Sequence, residues 1–155
     1  MIVVSSIIRA IYYFSTSRIH FSSDFKDKTV RMEDGLEFKI FRHMHIKSGS
    51  QTKTGSILIV RFKFKKFSHR ANIRLSWIPI LLIAGFPGFR DKLWMIDWKT
   101  DYWQGIYYWE SVDAIEKYKK SFVLGIMNKR ADDHSISYEI IKNRNINDYL
   151  QSILL

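Results

Sequence analysis

FPGFRDKLWMIDWKTDYWQGIYYWES, residues 86–111, decides how this chain is read. Two runs rich in aromatic and branched residues, RDKLWMID and YWQGIYYWE, flank the polar Trp98-Lys99-Thr100-Asp101, which predicts two strands joined by a turn. A core needs apolar residues, but it does not need this many flat rings. On the second strand Trp103, Gly105, Tyr107 and Trp109 share one face, and Gln104, Ile106 and Tyr108 share the other. A glycine between rings leaves room for a ligand or a second backbone to approach.

Working outward, SILIVRFKFKKF (56–67) alternates Leu58, Val60, Phe62 and Phe64 against Arg61, Lys63 and Lys65, the pattern of a half-buried strand. Residues 68–84 predict a helix opening at Ser68 and bent or restarted near Pro79. Ser111 caps a second helix, on which Ile115, Tyr118, Phe122 and Ile126 recur at helical spacing. After the loop ADDHS, ISYEII (136–141) is a last strand. The order is β-α-β-β-α-β, an α+β ferredoxin-like topology with an antiparallel sheet and both helices on one side. A ring-rich open face on the other side has to bury against a ligand, an appendage or a second copy of the chain.

This domain occupies residues 55–142, preceded by an N-terminal extension, 1–54, and followed by a C-terminal helix, 143–155. The polar KSGSQTKTG (47–55) marks the seam. Within the extension, a helix and an irregular segment over 1–28 lead into a hairpin around Asp34-Gly35. In the hairpin's second arm Leu36, Phe38, Ile40, Met44 and Ile46 fall on one face, and Glu37, Lys39, His43 and His45 on the other. The extension is expected to pack on its own domain or on a partner, because Leu36, Phe38 and Ile40 need cover. In the tail Ile146, Tyr149, Leu150, Ile153 and Leu154 form one helical stripe.

At 155 residues the chain is read as one domain with appendages. With no Cys it has no disulfide, thiolate nucleophile or Cys-held metal, which fits a reducing interior and a cytoplasmic location. The apolar run WIPILLIAGFPGF (77–89) is shorter than a membrane span and carries two Pro, so no membrane span is expected. The start, MIVVSSIIRAIYYF, suits an amphipathic helix lying on its own core or on a lipid surface. The net charge of +10 concentrates in Arg61, Lys63, Lys65, Lys66, Arg70 and Arg74, with no acid between 55 and 76, and reads first as a solvated face. Nucleic-acid binding ranks low, because RFKFKKF puts its rings and its charges on opposite faces.

The Pro87-Gly88-Phe89 turn, Lys92 and Trp94 in KLW, and Gly105, Tyr107 and Trp109 in QGIYYWES carry a resemblance, completed by Ser111, Ala114 and Tyr118 in SVDAIEKY and by Tyr138. In these motifs residues 56–141 resemble the dimeric α+β barrel superfamily, in particular monooxygenase-like proteins related to antibiotic-biosynthesis monooxygenases. The resemblance implies a homodimer in which two open sheets face each other. It also implies that Trp77, Phe86, Phe89, Trp94, Trp103, Tyr107 and Trp109 line a ligand cavity and the seam.

The superfamily includes cofactor-free oxygenases and heme-degrading enzymes. Heme degradation asks for an Asn on the first strand, which this chain lacks, and neither His69 nor Asn72 sits where that pattern wants its ligands; no cofactor is expected. A cofactor-free oxygenase needs a pocket and a proton acceptor, for which His69, Asp91, Tyr107 and Tyr108 are the candidates. The expected function is binding of a small apolar or aromatic molecule, with monooxygenase-like oxidation as its catalytic form. The alternative is a non-catalytic structural or ligand-binding homodimer. His43-Met44-His45 offers two imidazoles but no third ligand, and Asp132-Asp133-His134 reads as a solvated turn, so no metal is expected. No nucleophile elbow, P-loop or dinucleotide fingerprint is present.

Overall fold

The computed structural model describes residues 2–47 and 54–155; most of the polar seam at 47–55 lies outside the described residues. The chain runs α1 (Ile2–Ser15), β1 (Ile19–Ser22), β2 (Thr29–Arg31), β3 (Glu37–Ile46), β4 (Gly55–Phe62), α2 (His69–Leu75), α3 (Ile78–Ala84), β5 (Phe89–Asp97), β6 (Tyr102–Trp109), α4 (Val112–Lys119), α5 (Phe122–Arg130), β7 (Ser137–Arg144) and α6 (Ile146–Ile153). No helix among the described residues is long and apolar enough to cross a membrane.

The ferredoxin-like reading is borne out. β5, β6, β4 and β7 are neighbours in that order, antiparallel at every pairing. Local chemistry starts the helices where expected. Ser68 and Ser111 accept hydrogen bonds from the amides of Ala71 and Ala114, and Pro79 lies in the first turn of α3. The single helix expected after Ser111 is two. The backbone at Ser121 is extended, its amide bonds the Tyr118 carbonyl, and α5 starts afresh, leaving Phe122 exposed.

The extension enlarges the sheet. β3 adds beside β5, and β1 and β2 both pair with β3, giving the order β1-β3-β5-β6-β4-β7 with β2 as a branch on β3. The hairpin around Gly35 forms as expected, with Gly35 at φ +81°, a region a side chain would strain. The one-face reading of its second arm is corrected. The pairing of β3 with β5 slips between Ile40 and Arg42, a β-bulge that reverses which residues point which way. Phe38 and Ile40 therefore enter one core, and Met44 and Ile46 the other.

Those two cores lie on opposite sides of the sheet. The first is packed under α3, α4 and α5 and takes Leu58, Val60, Phe62, Trp94, Ile96, Trp103, Tyr107 and Trp109. The second takes Ile57, Ile59, Leu93, Met95, Ile106 and Tyr108, and is roofed by Phe25, Val30 and Met32 from the extension and by Ile146 and Leu150 of α6. β4 is thus buried on both faces, where its alternation suggested one. The sheet stays open rather than closing into a barrel. α6 and the C-terminus span the gap between β7 and β2, with a bridge from Val30 to Leu154 and a 3.0 Å bond from the Leu155 amide to the Thr29 carbonyl.

α1 docks on α3 through a close approach. Gly85 lies against the backbone carbonyl of Ser6, so a Cβ there would collide with backbone, and Arg9 donates to the Gly85 carbonyl at 3.0 Å. The outer side of α1 leaves Val4, Ile8, Ile11 and Tyr12 exposed. Two outcomes are expected. Leu150→Ala, at a side chain 1% exposed, should lower chemical stability by about 2–5 kcal/mol, whereas Trp98→Ala in the β5–β6 turn should change it little. Gly85→Ala should release α1, seen as faster proteolysis within residues 2–15 while the sheet core stays protected.

Candidate functional site

Strand parity builds the helix-side face. Antiparallel register sets Met44, Lys92, Tyr107 and Leu58 in one row across β3, β5, β6 and β4. The next row is Arg42, Trp94, Gly105 and Val60. Two cations therefore enter an aromatic core side by side. Lys92 is 2% exposed, and its Nζ lies 4.3 Å from the Trp94 ring centre and 4.2 Å from that of Tyr107. Among the described residues no hydrogen bond or ion pair reaches that amine. Burial, and after it the charge of Arg42, holds the Lys92 amine well below the usual lysine range.

Arg42 is better provided for. Its guanidinium stacks 3.9 Å from the centre of the Trp77 ring, Nη1 donates to Ser76 Oγ at 2.6 Å, and Nη2 reaches the Ile73 carbonyl at 3.4 Å. Burial lowers it to about 10. Trp77, stacked on this guanidinium, is itself 50% exposed and tilted against Phe21.

The predicted ligand-binding rings divide into three groups. Trp94 and Tyr107 flank Lys92, and Trp77 covers Arg42. Trp103 sits apart with Phe41, Phe64 and His69. Phe86, Phe89 and Trp109 cluster with Tyr118 of α4, at ring distances between 4.9 and 5.8 Å. The face assignment is corrected: Trp94, Trp103, Tyr107 and Trp109 point under the helices, not onto the open face. The room expected beside Gly105 is also taken, because the Tyr107 ring lies where a Cβ would project.

The four proton-acceptor candidates do not converge. His69 Nδ1 accepts from the indole N–H of Trp103 at 2.9 Å, which leaves its Nε2–H to donate to Asp101 at 2.8 Å. It ties the start of α2 to the β5–β6 turn. Tyr107 is buried on the helix side, and burial first, then Tyr118, pushes its phenol well above the usual range. Tyr108 lies on the opposite face with its hydroxyl buried and unpartnered. Asp91 also faces that side, 2.7 Å from His43 Nε2. Burial raises its carboxyl and the His43 hydrogen bond works against that rise.

The open face retains a groove of about 920 Å³ between β4, β7 and α6. Ile59, Ile141, Tyr149 and Ile153 line it together with Arg61, Glu139 and Arg144, and none of the seven predicted rings does. Part of the basic strand is neutralised nearby, since Arg61 pairs with Asp34 and bonds Gln104, and Lys65 meets Asp133.

Sequence reasoning passed over Arg42 and Ser76 and gave Lys92 no role at the site. Lys92 had a signal: it is a charge at the ring parity of Lys92-Trp94-Ile96. Arg42 had none, because only the bulge turns it to that face.

No family model and no curated protein matches this sequence. Solved structures do. A monooxygenase-like protein from Listeria innocua is 15% identical with a TM-score of 0.53, over 74% of this chain and 68% of that one. An uncharacterised ferredoxin-fold protein related to antibiotic biosynthesis monooxygenases, from Listeria monocytogenes, is 12% identical over 83% of this chain and 93% of its own, with a TM-score of 0.53. A heme-degrading enzyme from the same species is 13% identical over 81% and 97%, again with a TM-score of 0.53. The chain has the ferredoxin-like fold of the monooxygenase-like proteins that its motifs resemble.

Proposed function

We propose that this chain binds a small aromatic molecule bearing an acidic hydroxyl or carboxyl group, on the helix side of the sheet beside Lys92. One observation carries the reading: an amine buried between two ring faces with no anion to meet it. Such a group costs stability, and a buried, strongly perturbed titratable side chain beside a charge partner marks a functional-site candidate. An incoming phenol or acid that meets this amine as its anion supplies the counter-charge it lacks. The resulting ammonium–anion pair is then strengthened by the surrounding low dielectric. Trp94 and Tyr107 supply stacking surface, Arg42 a second positive charge, and half-exposed Trp77 the side chain to be displaced on the way in.

Kinship in fold with monooxygenase-like proteins supports a catalytic form of the same site. A phenol with a free para position can be oxidised by dioxygen to a quinone and water, with no further reductant. The ammonium of Lys92 would hold the electron-rich phenolate for that reaction. For the homodimer we propose a surface other than the sheet face, which α6 and the extension already roof. The exposed apolar side of α1, with Ile78 and Leu81 of α3, is the surface we assign to it.

1-Naphthol titrated calorimetrically should bind the wild type roughly tenfold to a hundredfold more tightly than Lys92→Met, the loss of a hydrogen bond to a charged group. Naphthalene should not tell the two proteins apart. Equal naphthol affinities would sink the proposal. Uptake of one dioxygen per naphthol, with 1,4-naphthoquinone as product, distinguishes the enzyme from the binder. Stability should also depend on pH. The folded amine binds protons less well than the unfolded one at 10.5, so its cost is full below the depressed folded value and vanishes above 10.5. Lys92→Met should therefore be more stable than wild type at neutral pH by about 1–4 kcal/mol, and the advantage should shrink as pH rises towards 10.5.

A further inference from the structure

The other face of the sheet holds a second group of chemically competent side chains, at the edge where β1, β3 and β5 run together. In register, His20 of β1 is opposite His45 of β3, which is opposite Asp91 of β5. His43 stands two residues along β3 on the same face. The His20 and His45 ring centres are 4.8 Å apart, and those of His43 and His45 are 5.9 Å apart. One ligand atom from each of His43, His45 and Asp91 lies within 4.8 Å of the other two. Metal bonds of about 2.0–2.2 Å bring such atoms to roughly 3–3.5 Å apart, a distance small side-chain rotations reach.

The group is more than a plain ion pair, because the imidazoles of His45 and His20 stand in line beside the His43–Asp91 contact. The His43 side chain is 8% exposed and its Nδ1 is buried without a hydrogen-bond partner. The contact between Nε2 and Asp91 satisfies one end of the ring only. Nε2 is thus the His43 atom turned towards the group, and Nδ1 lies at the far end of the ring. His45 is half-buried and His20 exposed, so the group opens to solvent on one side.

We propose that His43, His45 and Asp91 bind one divalent transition-metal ion, with His20 placed to add a fourth ligand. Two imidazoles and one carboxylate suit zinc and its first-row neighbours rather than magnesium or calcium. A three-residue set open to solvent leaves coordination positions for water or a substrate oxygen. The ion would take the place of the proton shared by His43 and Asp91, so binding releases protons and weakens as pH falls. This site lies across the sheet from Lys92, and either can fail without the other.

The test titrates zinc(II) into tag-free, chelator-treated full-length protein near neutral pH. Cobalt(II) absorption serves as a separate readout of nitrogen and oxygen ligation. The expected result is one ion per chain, with affinity lowered roughly tenfold to a hundredfold or more in His45→Ala and Asp91→Asn. His134→Ala, in the β7-proximal loop, should bind as wild type does. Should Asp91→Asn fail to fold, His45→Gln and His20→Ala change half-buried or exposed positions and keep the test alive. Wild-type zinc affinity retained in His45→Ala, or no zinc bound above a buffer control, overturns the proposal.

Discussion

One surplus residue in β3 decides what both faces of this sheet can do. The slip in pairing between Ile40 and Arg42 reverses the strand's parity halfway along. Before it, Phe38 and Ile40 face the core roofed by α6; after it, Met44 and Ile46 face the helices. The same reversal sets Arg42 beside Trp94 and brings His43 and His45 to the side where Asp91 stands. A regular strand would exchange these positions, leaving Arg42 away from Trp77 and the imidazoles pressed into the aromatic core. A bulge that aims functional side chains is a recurrent use of this irregularity.

The two faces then solve the problem of buried charge in opposite ways. On the helix side the cations meet ring faces: Arg42 has Trp77 and two oxygen acceptors, and Lys92 has only the quadrupoles of Trp94 and Tyr107. On the other side His43 and Asp91 neutralise one another across adjacent strands. A pair is the ordinary arrangement for ionisable groups away from water, and a lone amine is the exception. The aromatic excess of residues 86–111 has its explanation in this contrast. Some of those rings fill space under α4, while Trp94 and Tyr107 are the surroundings in which an unpaired amine can be held.

Much of the fold could be read directly. Period-two alternation marked the four strands of the domain, Ser68 and Ser111 announced their helices, and Asp34-Gly35 announced its hairpin. The misreadings share a physical origin. Alternation divides a strand into two faces without saying which one the helices cover, and so Trp94, Trp103, Tyr107 and Trp109 were assigned to the wrong side. A bulge changes parity without any change of composition. The break between α4 and α5 falls at Lys120-Ser121, where neither Gly nor Pro marks it. The partner of His43 is 48 positions away, and strand pairing rather than local spacing brings Asp91 to it.

The Gly85–Ser6 approach has a consequence for motion. α1 is keyed into the end of α3, and α3 begins directly after Trp77, the ring that shields Arg42. Displacing that indole pulls on α3, and α3 cannot shift without loosening the backbone contact that seats α1. The amides of α1 and α3 should then open as one cooperative unit, less protected than the strands beneath them, so that solvent access to the Arg42 guanidinium is timed by a helix remote from it in sequence.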